Sequence, residues 1–193
     1  MIAWIETISD EAASETLLAC FEQARAPSGR VGNVMRVHSL RPQTMLGHVA
    51  LYKSVLHHED NRLPDWFLET VGAYTSMLNR CAYSLTNHFA NARHLIGDEA
   101  RAEAVYGALQ SDRPEQAFEG KELALLRYGE KLTSEVGRMA ETDIEALREA
   151  GCDVGEILEV NQVCAYFNYS NRLLNGLGVT TEGDVIGYYK QET

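Results

Sequence analysis

Cys81, Ser84 and His88 recur at spacings of three and four residues, so on a helix a thiol, a hydroxyl and an imidazole project from one face into the same space. A thiolate there would serve as a soft nucleophile and the imidazole as an acid or base near neutral pH. If Cys81 opens its helix, unpaired backbone amides and the positive end of the helix dipole favour the thiolate. Glu69 stands twelve positions earlier, about 18 Å along one unbroken helix. It can join this group only if a turn near Asn79 and Arg80 folds the chain back, and it would then fix the tautomer of His88. Ser84 and His88, four residues apart, are close enough for a hydrogen bond, so a Ser-His-Glu relay can be drawn, although no nucleophile elbow or oxyanion hole is legible.

A second stripe lies near the carboxyl end. Asn161, Cys164, Asn168 and Asn171 recur at spacings of three, four and three, which puts a thiol among three amides on one helical face. If that face lines the site, Cys164 is a possible resolving thiol for Cys81. Cys20 sits among Leu17, Leu18 and Phe21 and reads as a small core residue, and Cys152 receives no function. His57 and His58 point to different sides of a helix end, and His38, His48 and His94 show no mutual ligand spacing, so no metal site and no cofactor are expected.

The elements that must position these groups are helices throughout. Ser9-Asp10-Glu11 offers a start for a helix to about Arg25, and Pro42 opens one reaching His57. Pro64 starts the helix carrying Glu69, and the helix from Cys81 runs to Ile96 before Gly97. Glu99–Leu109, Glu122–Val136, a short helix capped by Thr142-Asp143 and a long one from Asp153 to about Leu174 complete the array. No alternating β run and no long linker interrupts it. The expected fold class is all-α, a compact multi-helix array forming a single domain over 1–193 with its core motif at 64–96. The tail beyond Thr180 carries Val185, Ile186, Tyr188 and Tyr189, too apolar for a solvated end, and is expected to pack on a neighbouring subunit.

Twenty-eight acidic against seventeen basic residues give a formal charge of −11, which repels phosphate backbones and anionic headgroups, so nucleic acid and membrane surfaces are not expected partners. The opening residues lack a basic region followed by an apolar run, and the scattered cysteines suit a reducing compartment, so a cytoplasmic protein is expected.

The spacing of Glu69, Cys81 and His88 resembles the alkylhydroperoxidase D and carboxymuconolactone decarboxylase superfamily, in which a Glu precedes by twelve residues a Cys-x-x-Cys whose first Cys precedes a His by seven. The segment from Phe167 to Val179 is similar to the end of its peroxidase-related branch, and the resemblance runs from about Arg41 to Val179. The departure is Ser84, which occupies the place of the second cysteine, the one that meets peroxide in the peroxidase members. The resemblance implies an all-α helical homo-oligomer and a thiol oxidoreductase that reduces small organic hydroperoxides. Cys81 would be its reactive thiol, His88 and Glu69 its proton relay, and an external thiol or Cys164 its reductant. It equally admits acid-base chemistry of the lactone-decarboxylase kind, with His88 and Glu69 moving protons, or a non-catalytic oligomer that binds a small molecule.

Overall fold

Helix α4 (Asp65–Leu78) is the axis of the molecule. Ten consecutive residues, Phe67 to Ser76, are buried, so every face of the helix meets protein and its polar groups must find partners inside. Thr70 and Ser76 donate their hydroxyls to the carbonyls of Trp66 and Gly72, one turn back. Around α4 lie α5 (Ala82–Ile96), α7 (Gly120–Ser134) and α9 (Val154–Leu177), whose apolar residues form the main core with those of α4. The closest approach is at Gly72, where a Cβ would stand 2.2 Å from the Phe167 ring of α9. The absence of a side chain is what lets the two helices meet.

The remaining helices frame this core. α1 (Glu15–Gln23), α2 (Asn33–Arg36) and α3 (Pro42–Leu56) enclose a smaller apolar cluster around Phe21 and Met45, while α6 (Glu99–Gln110) and α8 (Glu141–Glu149) pack on the outer sides of α5 and α7. The computed structural model describes residues 1–189, and the last four residues of the expected single domain lie outside it. Among the described residues there is no strand, and no helix is long and apolar enough to cross a membrane.

The turn between α4 and α5 folds the chain back at Asn79 and Arg80, as the spacing of Glu69 requires. Arg80 takes a left-handed conformation (φ 54°), the Cys81 amide donates to the Ser76 carbonyl at 2.8 Å, and the Arg80 amide donates to that of Met77 at 3.0 Å. These are the six-to-one and five-to-two bonds of a Schellman ending, here with an arginine where glycine is usual. α9 supports the turn, since Asn175 donates its amide to the Asn79 carbonyl at 3.0 Å.

Two helix starts differ from expectation. α1 begins at Ser14, whose hydroxyl accepts the Leu17 amide at 3.3 Å, because Asp10 is engaged by the Arg36 guanidinium at 2.8 Å and Ser9 to Ala13 close as turns. α8 starts before Thr142, with Asp143 inside the first turn accepting the Ala140 amide at 2.8 Å.

Candidate active site

Because α4 and α5 run back to back, Glu69 and His88 meet across nineteen residues of chain. The Nδ1 of His88 lies 2.7 Å from Oε2 of Glu69, and the carboxylate is fully buried. Its second oxygen, Oε1, accepts the Asn91 side-chain amide at 3.0 Å. The orientation of Asn91 follows from chemistry, since its Oδ1 faces the Tyr188 backbone N–H at 2.6 Å and an N–H can only donate. Nδ2 therefore points to Glu69. Two donors converge on a buried carboxylate, so the Glu69 side chain is held as an acceptor and Nδ1 of His88 as the protonated nitrogen. No described residue bonds to Nε2, which is left with a lone pair beside the pocket that His88 lines. The Phe167 ring stands edge-on to the imidazole at 4.5 Å between centroids and holds its plane.

That pocket has a volume of about 120 Å³. Its walls carry Tyr52, Tyr166, Val49 and Leu174 beside His88 and Ser84, and the tail segment from Asp184 to Tyr188 closes one side. The described part of the tail folds over its own protein's pocket. Asp184 accepts the Tyr83 hydroxyl at 2.5 Å and the Asn33 amide at 3.1 Å, and burial raises its carboxyl pKa despite these partners. Asn87 accepts the Gly187 amide at 3.0 Å, one turn before Asn91 takes that of Tyr188, and the Tyr188 ring stacks on His57 at 4.3 Å. Asn87 and Asn91, one turn apart on α5, thus clamp the tail, and sequence reading passed over both.

The other expected site residues separate. Ser84 lines the pocket, but its hydroxyl pairs with that of Ser76 at 2.9 Å, so the Ser-His-Glu relay is not assembled. Cys81 is the N-cap of α5, as expected, yet it does not line the pocket. It is 1% exposed in a cluster with Ala3, Val37, Leu174 and Val179, and burial pushes its thiol pKa up, overriding the favourable helix end. Cys164 is fully buried in the main core, in a different cluster from Cys81. Its Sγ accepts the Thr75 hydroxyl at 3.6 Å, and its pKa is raised by burial to about 12. Nothing joins the two sulfurs in this arrangement. The amides of the same stripe face α4 and α7: Asn161 donates to Tyr128, Asn168 to Thr133, and the Asn171 side chain lies 3.3 Å from the Ser76 hydroxyl.

A further group went unseen because a helix break separates its members in sequence. His38 bonds through Nδ1 to the Thr44 hydroxyl at 2.8 Å and through Nε2 to Nδ1 of His48 at 3.0 Å, and Nε2 of His48 meets the Tyr166 hydroxyl at 2.9 Å. Burial lowers the pKa of both histidines, that of His48 to about 3, so both are neutral at physiological pH.

Comparison with solved structures places this architecture. An uncharacterised peroxidase-related protein from Ralstonia eutropha JMP134, described as an alkylhydroperoxidase AhpD core, superposes with a TM-score of 0.81 at 21% identity over 95% of this chain and 94% of its own. A peroxidase-related protein from Silicibacter sp. TM1040 gives 0.73 at 23% identity over 98% and 93%. The debrominase Bmp8 gives 0.72 at 13% identity over 95% and 92%, and a cysteine-to-alanine form of it in complex with 2,3,4-tribromopyrrole gives 0.70. No protein-family model and no curated protein matches the chain. At these identities the likeness is one of fold: the chain folds like the proteins described as an alkylhydroperoxidase AhpD core and as peroxidase-related.

Proposed function

We propose that this protein is an AhpD-like enzyme that moves protons on a small organic molecule held in the pocket, with His88 as acid and base and Glu69 as its partner. The observation that carries this reading is the Glu69–His88 pair itself: a buried carboxylate on Nδ1, and Nε2 with no partner among the described residues, beside the cavity. Nε2 accepts a proton from the substrate, the imidazolium formed is stabilised by Glu69, and the same nitrogen returns the proton to the product. Asn91 keeps the carboxylate aligned throughout. A cavity of about 120 Å³ with tyrosine walls suits a single ring or a short lactone. The description of the debrominase neighbour supports this size class, since a halogenated pyrrole occupies a protein of the same fold.

A second reading has its own support, because Cys81 caps α5 and neighbours of the same fold are described as peroxidase-related. In it the Cys81 thiolate attacks a hydroperoxide, the O–O bond breaks, an alcohol leaves and Cys81 becomes a sulfenic acid that an external thiol restores. One experiment separates the two. Wild type, His88→Ala and Cys81→Ser are incubated with a panel of carboxylated lactones and, separately, with cumene hydroperoxide, and products and intact protein mass are followed. Lactone turnover lost in His88→Ala and kept in Cys81→Ser supports proton transfer. Peroxide consumption that depends on Cys81, with no lactone turnover, overturns it in favour of the thiol.

A further inference from the structure

The His38–His48–Tyr166 chain lies outside the Glu69–His88 pair yet ends on the same pocket. Its polarity can be worked out from its outer end. The Thr44 hydroxyl donates to the Arg41 carbonyl at 2.8 Å, and a carbonyl can only accept. The Thr44 oxygen therefore receives the Nδ1 proton of His38, whose Nε2 is left to accept. His48 must then carry its proton on Nδ1, directed to His38, and its Nε2 accepts the Tyr166 hydroxyl. The Tyr166 proton is committed inward, so toward the pocket its oxygen offers lone pairs alone. Both histidines are buried and neutral, and Thr44 is exposed at the far end. A chain of neutral groups, each with one proton to give and one lone pair to fill, joins the pocket wall to solvent.

We propose that this chain selects pocket ligands that carry an O–H or N–H donor on a small ring, and that it conducts the donor's proton to the surface. The ligand's proton passes to Tyr166 Oη as the Tyr166 proton moves to His48 Nε2. In the same sense the Nδ1 proton of His48 moves to His38 Nε2 and that of His38 to Thr44, whose own proton leaves its bond to the Arg41 carbonyl for the bulk water that the exposed Thr44 meets. Each group gains one proton and loses one, the ligand is left as its anion, and the histidines exchange tautomers without becoming charged. The ligand class stands independently of the role of His88, whereas the conduction step rests on the reading of the pocket as a proton-transfer site.

Phenol and anisole serve as probes, since they share a ring and only phenol donates. Wild type is expected to bind phenol about tenfold more tightly than anisole, and Tyr166→Phe, which keeps the ring and its packing, is expected to lose most of that preference, the remainder being what Nε2 of His88 accepts. The ¹⁵N spectrum of the free protein should show both histidines protonated at Nδ1, and phenol should move the His38 signals although His38 does not line the pocket. His88→Ala should keep most of the phenol preference, so a failed proton-transfer reading leaves this test standing. Equal binding by wild type, no phenol binding, or a His48 protonated at Nε2 overturns the proposal. Tight phenol binding with unmoved His38 signals overturns conduction and leaves selection.

Discussion

At the level of single residues the site divides between groups that reach the pocket and groups that do not. Ser84 and His88 reach it, whereas Cys81 is shut away behind Val37, Leu174 and Val179. Burial raises the Cys81 pKa above the ordinary value of 9.0, so its thiolate fraction grows with pH and is still climbing at pH 9. Iodoacetamide should modify Cys81 more slowly than free cysteine at neutral pH, with a rate that has not levelled off by pH 9. A Ser84→Cys variant should gain one readily modified thiol, because that side chain borders the cavity; equal protection of both sulfurs would mean that the pocket is closed to reagent. Glu69→Gln is the sharper probe of the proton pair. His88 and Asn91 both donate to the carboxylate, and a glutamine has only one acceptor oxygen and brings two donors of its own. One of the two bonds must fail, and turnover should fall about 100-fold or more if it is proton transfer by His88. Unchanged turnover would remove Glu69 from the mechanism. Glu69, Ser84 and His88 could be picked out from residue type and spacing alone. Asn91 could not, because an asparagine on a helix signals nothing until the tail that fixes its orientation is in place.

At the level of elements, the positions of the helices were legible where a residue forces the backbone. Pro42 and Pro64 open α3 and α4, Gly97 ends α5 in a left-handed conformation, and the Asp153 carboxylate accepts the Gly155 and Glu156 amides at the start of α9. Ser9-Asp10 misled because a side chain that can cap can equally pair with a distant arginine, and sequence does not say which. The contact between helices was less legible still, since Gly72 is a glycine inside a helix and its use depends on Phe167, ninety-five residues away. Gly72→Ala sets this contact against the better helix propensity of alanine. The new methyl would stand 2.2 Å from the Phe167 ring, far inside contact distance, so α4 and α9 must part or the ring must turn. The expected cost is about 1–3 kcal/mol in chemical denaturation, outweighing the roughly 1 kcal/mol that alanine gains in a helix. Because the same ring stands edge-on to His88, the variant should also shift the His88 ring signals in an NMR spectrum. A more stable Gly72→Ala protein would show that the contact is loose.

The whole molecule answers to pH through groups that no local pattern reveals. The net charge of −11 was plain from composition and describes the surface, but His38 and His48 become a buried pair only when α3 docks against α9. In the unfolded chain each titrates near 6.5. In the folded protein burial holds both values down, that of His48 to about 3. Between these limits the unfolded state binds protons that the native state refuses, so stability is full above about pH 6.5 and is lost as pH falls, by about 1.4 kcal/mol per unit per group. Asp184 works the other way, since its raised pKa lets the native state take up a proton more readily on acidification, and relief of surface repulsion acts in the same direction. The histidine pair is decisive below neutrality because the carboxylates of the unfolded chain begin to titrate only near pH 4–5. Thermal melts between pH 7 and pH 5 should therefore show wild type losing about 2 kcal/mol to His48 alone by pH 5. His48→Gln, less stable at pH 7 for want of the paired imidazole, should lose less and approach the wild type at the acid end. Melting curves that stay parallel across this range would mean that His48 takes up its proton inside the folded protein, and the neutral chain from Thr44 to Tyr166 could not then hold.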